Sequence, residues 1–195
     1  MMIAQVQSAG MTVAEYLAWE AEQPAKHEYI QGEVYAMTGA TLPHNDIAVN
    51  LTSLLRPFLR DKGCKVRMSD AKVKVSEQGP YFYPDVVVSC DQRDRHAIEA
   101  ICYPCLIVEV LSPSTAAFDY SKKFQFYRQI STLTEYILID ATEVKIDRYA
   151  KNAAGKWELT AYPEEGADAE LELSSINFRC PLGLIYEDVE LMGEP

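Results

Sequence analysis

Tyr83-Pro84-Asp85-Val86-Val87-Val88 and Leu106-Ile107-Val108-Glu109-Val110-Leu111 are two short β-branched runs, each interrupted by one carboxylate. Pro or polar residues bound both runs, the pattern of strands buried on two faces. An acid inside such a run is expensive, because leaving water penalises its charged form unless a cation or hydrogen-bond donors compensate. One acid so placed could be a structural hydrogen-bonding group. Two, on consecutive core strands, point to a site for a divalent cation. Side chains alternate along a strand, so Glu109 shares a face with Ile107 and Leu111 while Val108 and Val110 face the other way. Asp85 stands at the start of its strand, where the chain still reaches water. If the strands are neighbours, both acids converge on one ion. Ligation by oxygen alone favours a hard cation, Mg²⁺ or Mn²⁺, which takes one or two carboxylates and fills its remaining positions with water or substrate phosphate.

Downstream, Ser112-Pro113-Ser114-Thr115 breaks the second strand, and the spacing predicts a helix from about Asp119 to Ile130. Asp119, Lys123 and Tyr127 follow one another at four-residue intervals and lie along one stripe of it. Lys122 and Lys123 occupy its first turn, where the helix dipole disfavours cations, so their placement has another cause. An ammonium group beside two acids is what phosphodiester hydrolysis uses, and Lys123 is the candidate. The plainer alternatives are an Asp119 N-cap, a surface Lys123 paired with it, and a core Tyr127.

Upstream, Thr12 caps a helix bearing Val13, Tyr16, Leu17 and Glu20 that Pro24 stops. Residues 26–37 alternate on either side of Gln31-Gly32, which predicts a β-hairpin. Asn45 or Asp46 is expected to open a longer helix that buries Ile47, Leu51, Leu54, Leu55, Phe58 and Leu59, with Pro57 kinking it and Gly63 marking its end. Cys64 to Val75 alternates and reads as one strand. Tyr136 to Ile139 reads as another, and Val144–Tyr149 with Trp157–Tyr162 as an antiparallel hairpin before an acidic terminal strand. Residues 1–10 read as frayed or as a short edge strand. No repeat or linker divides the chain. The expectation is one α/β (α+β) domain over 1–195: a mixed sheet flanked by helices, with a core at about 40–140, an N-terminal helix and hairpin at 11–38, and C-terminal strands at 141–195.

The net charge of −11 argues against broad coating of nucleic acid, which needs cations to replace phosphate counterions. The charge is polarised along the chain. Arg56, Arg60, Lys62, Lys65, Arg67, Lys72 and Lys74 stand against Asp61 and Asp70, a net of +5, whereas from Trp157 onward Arg179 alone stands against ten acids. The basic segment reads either as a solvated helix end and edge strand or as a DNA contact surface made by Arg56, Arg60, Lys65, Arg67, Lys72 and Lys74. No apolar run approaches the ~20 residues of a membrane helix, and residues 1–5 do not have the pattern of a secretory signal. Five cysteines, odd in number and without framework spacing, suit a reducing cytoplasm. Cys102-Tyr103-Pro104-Cys105 has no second pair to complete a structural zinc site, and reads as buried, inert thiols.

Pro84-Asp85, Glu109-Val110-Leu111-Ser112-Pro113-Ser114-Thr115, Asp119, and Lys123-Phe124 with Tyr127 together resemble the Uma-type endonuclease family of the restriction-endonuclease-like superfamily, named for its Pro-Asp and Asp/Glu-x-Lys motifs. Lys26-His27-Glu28-Tyr29-Ile30, Gly32-Glu33-Val34 and His44-Asn45 are also similar to that family, and the likeness spans roughly residues 12–150. The resemblance implies an α-β-β-β-α-β core, Mg²⁺- or Mn²⁺-dependent cleavage of DNA, and metal binding by Asp85 and Glu109. The superfamily's lysine normally stands two residues after the second acid, where this chain has Leu111. Lys123 is expected to bring its ammonium into that space from the next helix. Glu28, with Glu33 behind it, is the candidate for the superfamily's further acid, and His44 for a proton carrier or substrate contact. Three functions follow as expectations: a cytoplasmic metal-dependent endonuclease acting as a homodimer or higher oligomer, a non-catalytic nucleic-acid or protein binding module on the same fold, and a hydrolase of small phosphorylated substrates.

Overall fold

The computed structural model describes residues 5–7, 10–37, 39–162 and 169–191. The expectation for residues 1–10 lies outside this set at residues 1–4, 8 and 9.

Thr12 and Glu15 start helix α1 (Val13–Glu20) with a reciprocal capping box: Glu15 N–H donates to Thr12 Oγ1, and Thr12 N–H donates to the Glu15 carboxylate at 2.8 Å. The expected hairpin follows as β2 (His27–Ile30) and β3 (Glu33–Ala36), with β1 (Gln5–Gln7) added on the β3 edge. Both turn residues are left-handed, Gln31 at φ 51° and Gly32 at φ 96°, the primed turn whose twist matches that of the strands. A Cβ on Gly32 would stand 3.2 Å from the Gly10 backbone nitrogen. Gly32→Ala is therefore expected to lower the urea midpoint at unchanged slope, by about 1 kcal/mol or somewhat more.

Helix α2 (Leu42–Leu59) begins one turn earlier than the sequence suggested, with Thr41 as its cap. Pro43, lacking an N–H, fits the first turn, where that donor would go unused, and His44 is thereby inside the helix. The backbone leaves the helix beyond Arg60 through left-handed Asp61 and Gly63. The stretch read as one strand from Cys64 to Val75 is two. Ser69 (φ 42°) and Asp70 turn the chain, so β4 (Lys65–Met68) joins one sheet and β5 (Val73–Lys74) another. Both pieces alternate, so only the turn-forming Ser-Asp pair marks the break.

β6 (Tyr81–Phe82) completes a five-stranded sheet in the order β1-β3-β2-β6-β5. The central sheet has six strands in the order β11-β10-β9-β8-β7-β4, built from β7 (Val86–Ser89), β8 (Leu106–Leu111), β9 (Glu135–Asp140), β10 (Ile146–Lys151) and β11 (Trp157–Tyr162) with β4. Within this sheet, β8 and β9 pair in parallel, and helix α3 (116–127) makes the crossover between them. This helix contains a π-type turn at Asp119–Lys123 and ends short of the expected Ile130. The α-β-β-β-α-β core is thus α2-β4-β7-β8-α3-β9, with β5 and β6 inserted after β4.

Alternation along the strands sorts the core into two layers. Val86, Val88, Val108, Val110, Ile137 and Ile139 pack on the α2 side, whereas Val87, Ile107, Leu111, Tyr136 and Leu138 pack on the α3 side. The C-terminal pair β12 (Glu170–Leu173) and β13 (Phe178–Pro181), with α4 (Leu182–Ile185), closes the α2 layer through Leu171, Leu173 and Ile185. Two expectations about cysteines are corrected. Cys64 and Cys90 are joined in a disulfide, and Cys102 and Cys105 are half-buried free thiols. Cys64 and Cys90 are brought together across the β4–β7 pairing, which spacing along the sequence does not display. Among the described residues, no helix is long and apolar enough to cross a membrane.

Candidate active site

The antiparallel register pairs Val86 with Val108, so one step further Asp85 comes opposite Glu109. The two acids therefore meet at one end of the β7–β8 pair, on the α3 side of the sheet. They line a cavity of about 300 Å³ whose other walls include Glu28, His44, Asp119 and Lys123, with the hydroxyls of Ser112, Ser114 and Thr115 at the loop after β8.

Lys123 Nζ stands at the centre. It lies 2.9 Å from Glu109 Oε1, 3.1 Å from Glu28 Oε1 and 3.6 Å from Asp119 Oδ1. All four residues are buried, with 6% or less exposed. A lysine reaches this depth only because carboxylates compensate for the loss of water. Burial alone pulls its pKa down, but the charges of Glu109 and Glu28 outweigh that and raise it well above the ordinary lysine range. The acids are shifted as well. Burial, opposed by Lys123, raises the carboxyl pKa of Glu28 and Asp119 and raises that of Glu109 well above its usual value, and the neighbouring acids add to the shift. Tyr127 OH donates to Glu109 Oε1 at 3.0 Å and fixes the carboxylate from the third position of the α3 stripe.

Asp85 is held separately. Its Oδ2 accepts the Val110 N–H at 2.7 Å and lies 3.3 Å from His44 Nε2. This carboxylate thus ties the start of β7 to the end of β8, and α2 delivers His44 to it from the opposite layer. Burial works against a charged His44, yet the hydrogen bond and charge of Asp85 prevail and raise its pKa.

The donor set fits a hard divalent cation. Asp85 Oδ1 and Glu109 Oε2 have no hydrogen-bond or ion-pair partner among the described residues. Four carboxylates, those of Asp85, Glu109, Glu28 and Asp119, thus face two basic side chains, Lys123 and His44, around this cavity. No three His, Cys, Asp or Glu side chains among the described residues could enclose an ion unaided. A cation held by Asp85 and Glu109 would have to take its remaining ligands from water or substrate.

Asp85, Glu109, Lys123, Glu28 and His44 are therefore brought together. Glu33 is not among them, since it accepts from Tyr35 OH on its own strand. The six basic residues do not line the cavity. Arg56 and Arg60 are exposed on the end of α2. Lys65 and Arg67 bind the carbonyls of Arg95 and Asp94, at 2.7 and 3.3 Å. Lys72 lies against the rings of Tyr16 and Tyr83, and Lys74 pairs with Glu77 at 2.7 Å. Because the segment is split between two sheets, the expected single basic surface is divided. Asp119 and Tyr127 are site residues that the plainer sequence alternatives would have set aside; their shared stripe with Lys123 was the available signal.

Comparisons with known proteins bear on the family and the fold. The sequence profile of the Uma2 family, described as "Putative restriction endonuclease", matches residues 13–183. Two uncharacterized proteins of Synechocystis sp. strain PCC 6803 are similar. The protein slr1290 is 43% identical over 172 residues, covering 88% of this chain and 89% of its own. The protein sll1609 is 38% identical over 168 residues, covering 85% and 95%. A crystal structure of "a putative nuclease belonging to DUF820" from Anabaena variabilis superposes with a TM-score of 0.74 at 16% identity, over 91% of this chain and 98% of that one. The mixed sheet flanked by helices is thus a shared architecture, and the chain belongs to the Uma2 family.

Proposed function

We propose that this protein is a Mg²⁺- or Mn²⁺-dependent endonuclease that hydrolyses DNA phosphodiester bonds. The observation that carries the reading is the convergence of Asp85 and Glu109 in one cavity beside Lys123, each acid with an oxygen to spare. Asp85 and Glu109 would hold the cation, which supplies an activated water and neutralises charge developing on the phosphate. The Lys123 charge opposes the burial that raises the Glu109 carboxyl, and its ammonium would present an N–H to a phosphate oxygen at the cavity floor. Glu28 and Asp119 hold that ammonium in place, and Tyr127 holds Glu109. His44 orients Asp85 and, charged, can pass a proton to a group at the cavity mouth. Cutting both strands of a duplex would call for a second copy of the chain, the expected homodimer.

A melting experiment tests the site itself. Mg²⁺ at ten times its dissociation constant adds about 1.4 kcal/mol, or ~3–5 °C in a chain of this size. Wild type is expected to show this rise and Asp85→Asn to lose it. An equal rise in both proteins would place the ion elsewhere.

A second reading, a binding module without turnover, draws on the net charge of −11 and on basic side chains that lie away from the cavity. It predicts the same metal-dependent rise in melting temperature with no cleavage of plasmid, single-stranded or branched DNA.

A further inference from the structure

We propose that Cys64, Cys90 and Cys105 form a thiol–disulfide exchange site in which the bond to Cys90 passes between Cys64 and Cys105. Cys64 immediately precedes β4, Cys90 immediately follows β7 and Cys105 immediately precedes β8. Since β7 runs antiparallel to both neighbours, the three residues gather at one end of three adjacent strands. Cys90 Sγ is bonded to Cys64 Sγ, and the free Cys105 Sγ lies 3.8 Å from Cys90 Sγ, van der Waals contact for two sulfurs. Cys90 therefore has one sulfur partner by covalent bond and a second already in contact. Cys102 takes no part. It belongs to a separate surface cavity with Lys74 and Ser76, so the Cys-x-x-Cys spacing in the sequence is not the pair that matters.

The step balances without an outside reagent. The Cys105 thiolate attacks Cys90 Sγ, the Cys90–Cys105 bond forms as the Cys64–Cys90 bond breaks, and the departing Cys64 thiolate takes up the proton that Cys105 gave to solvent. Nothing is oxidised or reduced overall. Moving the bond takes the staple off the edge pair β4–β7 and places it across β7–β8, the strands that carry Asp85 and Glu109 near their other ends. That distance is about 13–16 Å, from the rise per residue of a strand.

The surroundings set the rate. Cys105 is half-buried, its thiol donates to the Val88 carbonyl at 3.4 Å, and the groups facing it are the Cys90 sulfur from β7 and Glu135 from β9, itself neutralised by Arg148. Burial pushes the Cys105 thiol up to about 11. The thiolate is the nucleophile, so exchange is slow at neutral pH and quickens about tenfold per pH unit up to that value.

Disulfide mapping tests this on the full chain purified without reductant, carrying Cys102→Ser so that one cysteine remains in that loop. After incubation at pH 7 and pH 9, samples are quenched in acid, blocked with N-ethylmaleimide and analysed by peptide mass spectrometry. The expected result is a Cys90–Cys105 pair growing in beside Cys64–Cys90, about 100-fold faster at pH 9, with the blocking label moving from Cys105 to Cys64. A lone Cys64–Cys90 bond at both pH values, or Cys64, Cys90 and Cys105 all free in the starting protein, overturns the proposal. Cys64→Ser gives a second reading: mild oxidation with glutathione disulfide should close Cys90–Cys105, and a Cys105 that stays free contradicts the exchange site.

Discussion

Replacing Lys123 by methionine is expected to cost about 3–5 kcal/mol of folding stability, the usual loss when one partner of a buried ion pair is removed. Methionine keeps the length and apolar stem but takes away the charge. Glu28, Glu109 and Asp119, each 3% exposed or less, then face one another without a cation. They cannot regain water, so they respond by holding protons. Their carboxyl pKa values are raised even with Lys123 present, chiefly by burial, and removing the ammonium raises them further. A carboxyl whose pKa is higher in the folded than in the unfolded protein costs stability as pH rises through that interval and costs nothing below both values. The loss in Lys123→Met should therefore be fullest near pH 8, shrink as pH falls through the raised folded values, and be least below about 4. Urea unfolding in EDTA at pH 8 and pH 5, beside wild type, measures both features. A loss under 1 kcal/mol at pH 8 would put the lysine tip in solvent.

Glu109→Gln is expected to do the reverse: it should abolish metal-dependent cleavage while leaving the fold intact. Glutamine fills the same space and can still accept from Tyr127 OH. It removes one carboxylate beside Lys123, which keeps Glu28 and Asp119 as partners, so any loss of stability should be well below that of Lys123→Met. Activity loses the ligand that faces Asp85 across the strand pair, together with the negative charge that draws the cation. A loss of about 4 kcal/mol in transition-state stabilisation is at least about 10³-fold in rate. Plasmid nicking with Mg²⁺ or Mn²⁺, run beside a melting curve, reads both. Cleavage that persists in the variant belongs to a different site or a contaminant.

Much of this site was legible in the sequence because strand alternation is rigid. Once Glu109 is placed with Ile107 and Leu111, its face is fixed, and antiparallel pairing brings Asp85 opposite it. Lys123 and Tyr127 were legible for the same reason in helical form, since four-residue spacing aligns them whatever the exact start of α3. The helix boundaries were not, and here the π-type turn at Asp119–Lys123 and the Thr41 cap differ from the expected limits. Long-range placement was the weaker part. Lys65 and Lys74 read as one strand, yet the turn at Ser69 sends them to different sheets, and alternation alone cannot reveal that. The Cys64–Cys90 bond was missed because it depends on which strands pair, not on sequence spacing.

The central claim is that Asp85 and Glu109 share one cation. Anomalous diffraction from a crystal soaked in Mn²⁺ tests it most directly. The account predicts a single strong peak in the cavity beside Lys123, about 2.1–2.3 Å from a carboxylate oxygen of each acid, Asp85 Oδ1 and Glu109 Oε2 being the free ones. A peak bound to other residues, or a cavity without one at full Mn²⁺ occupancy elsewhere, would contradict it.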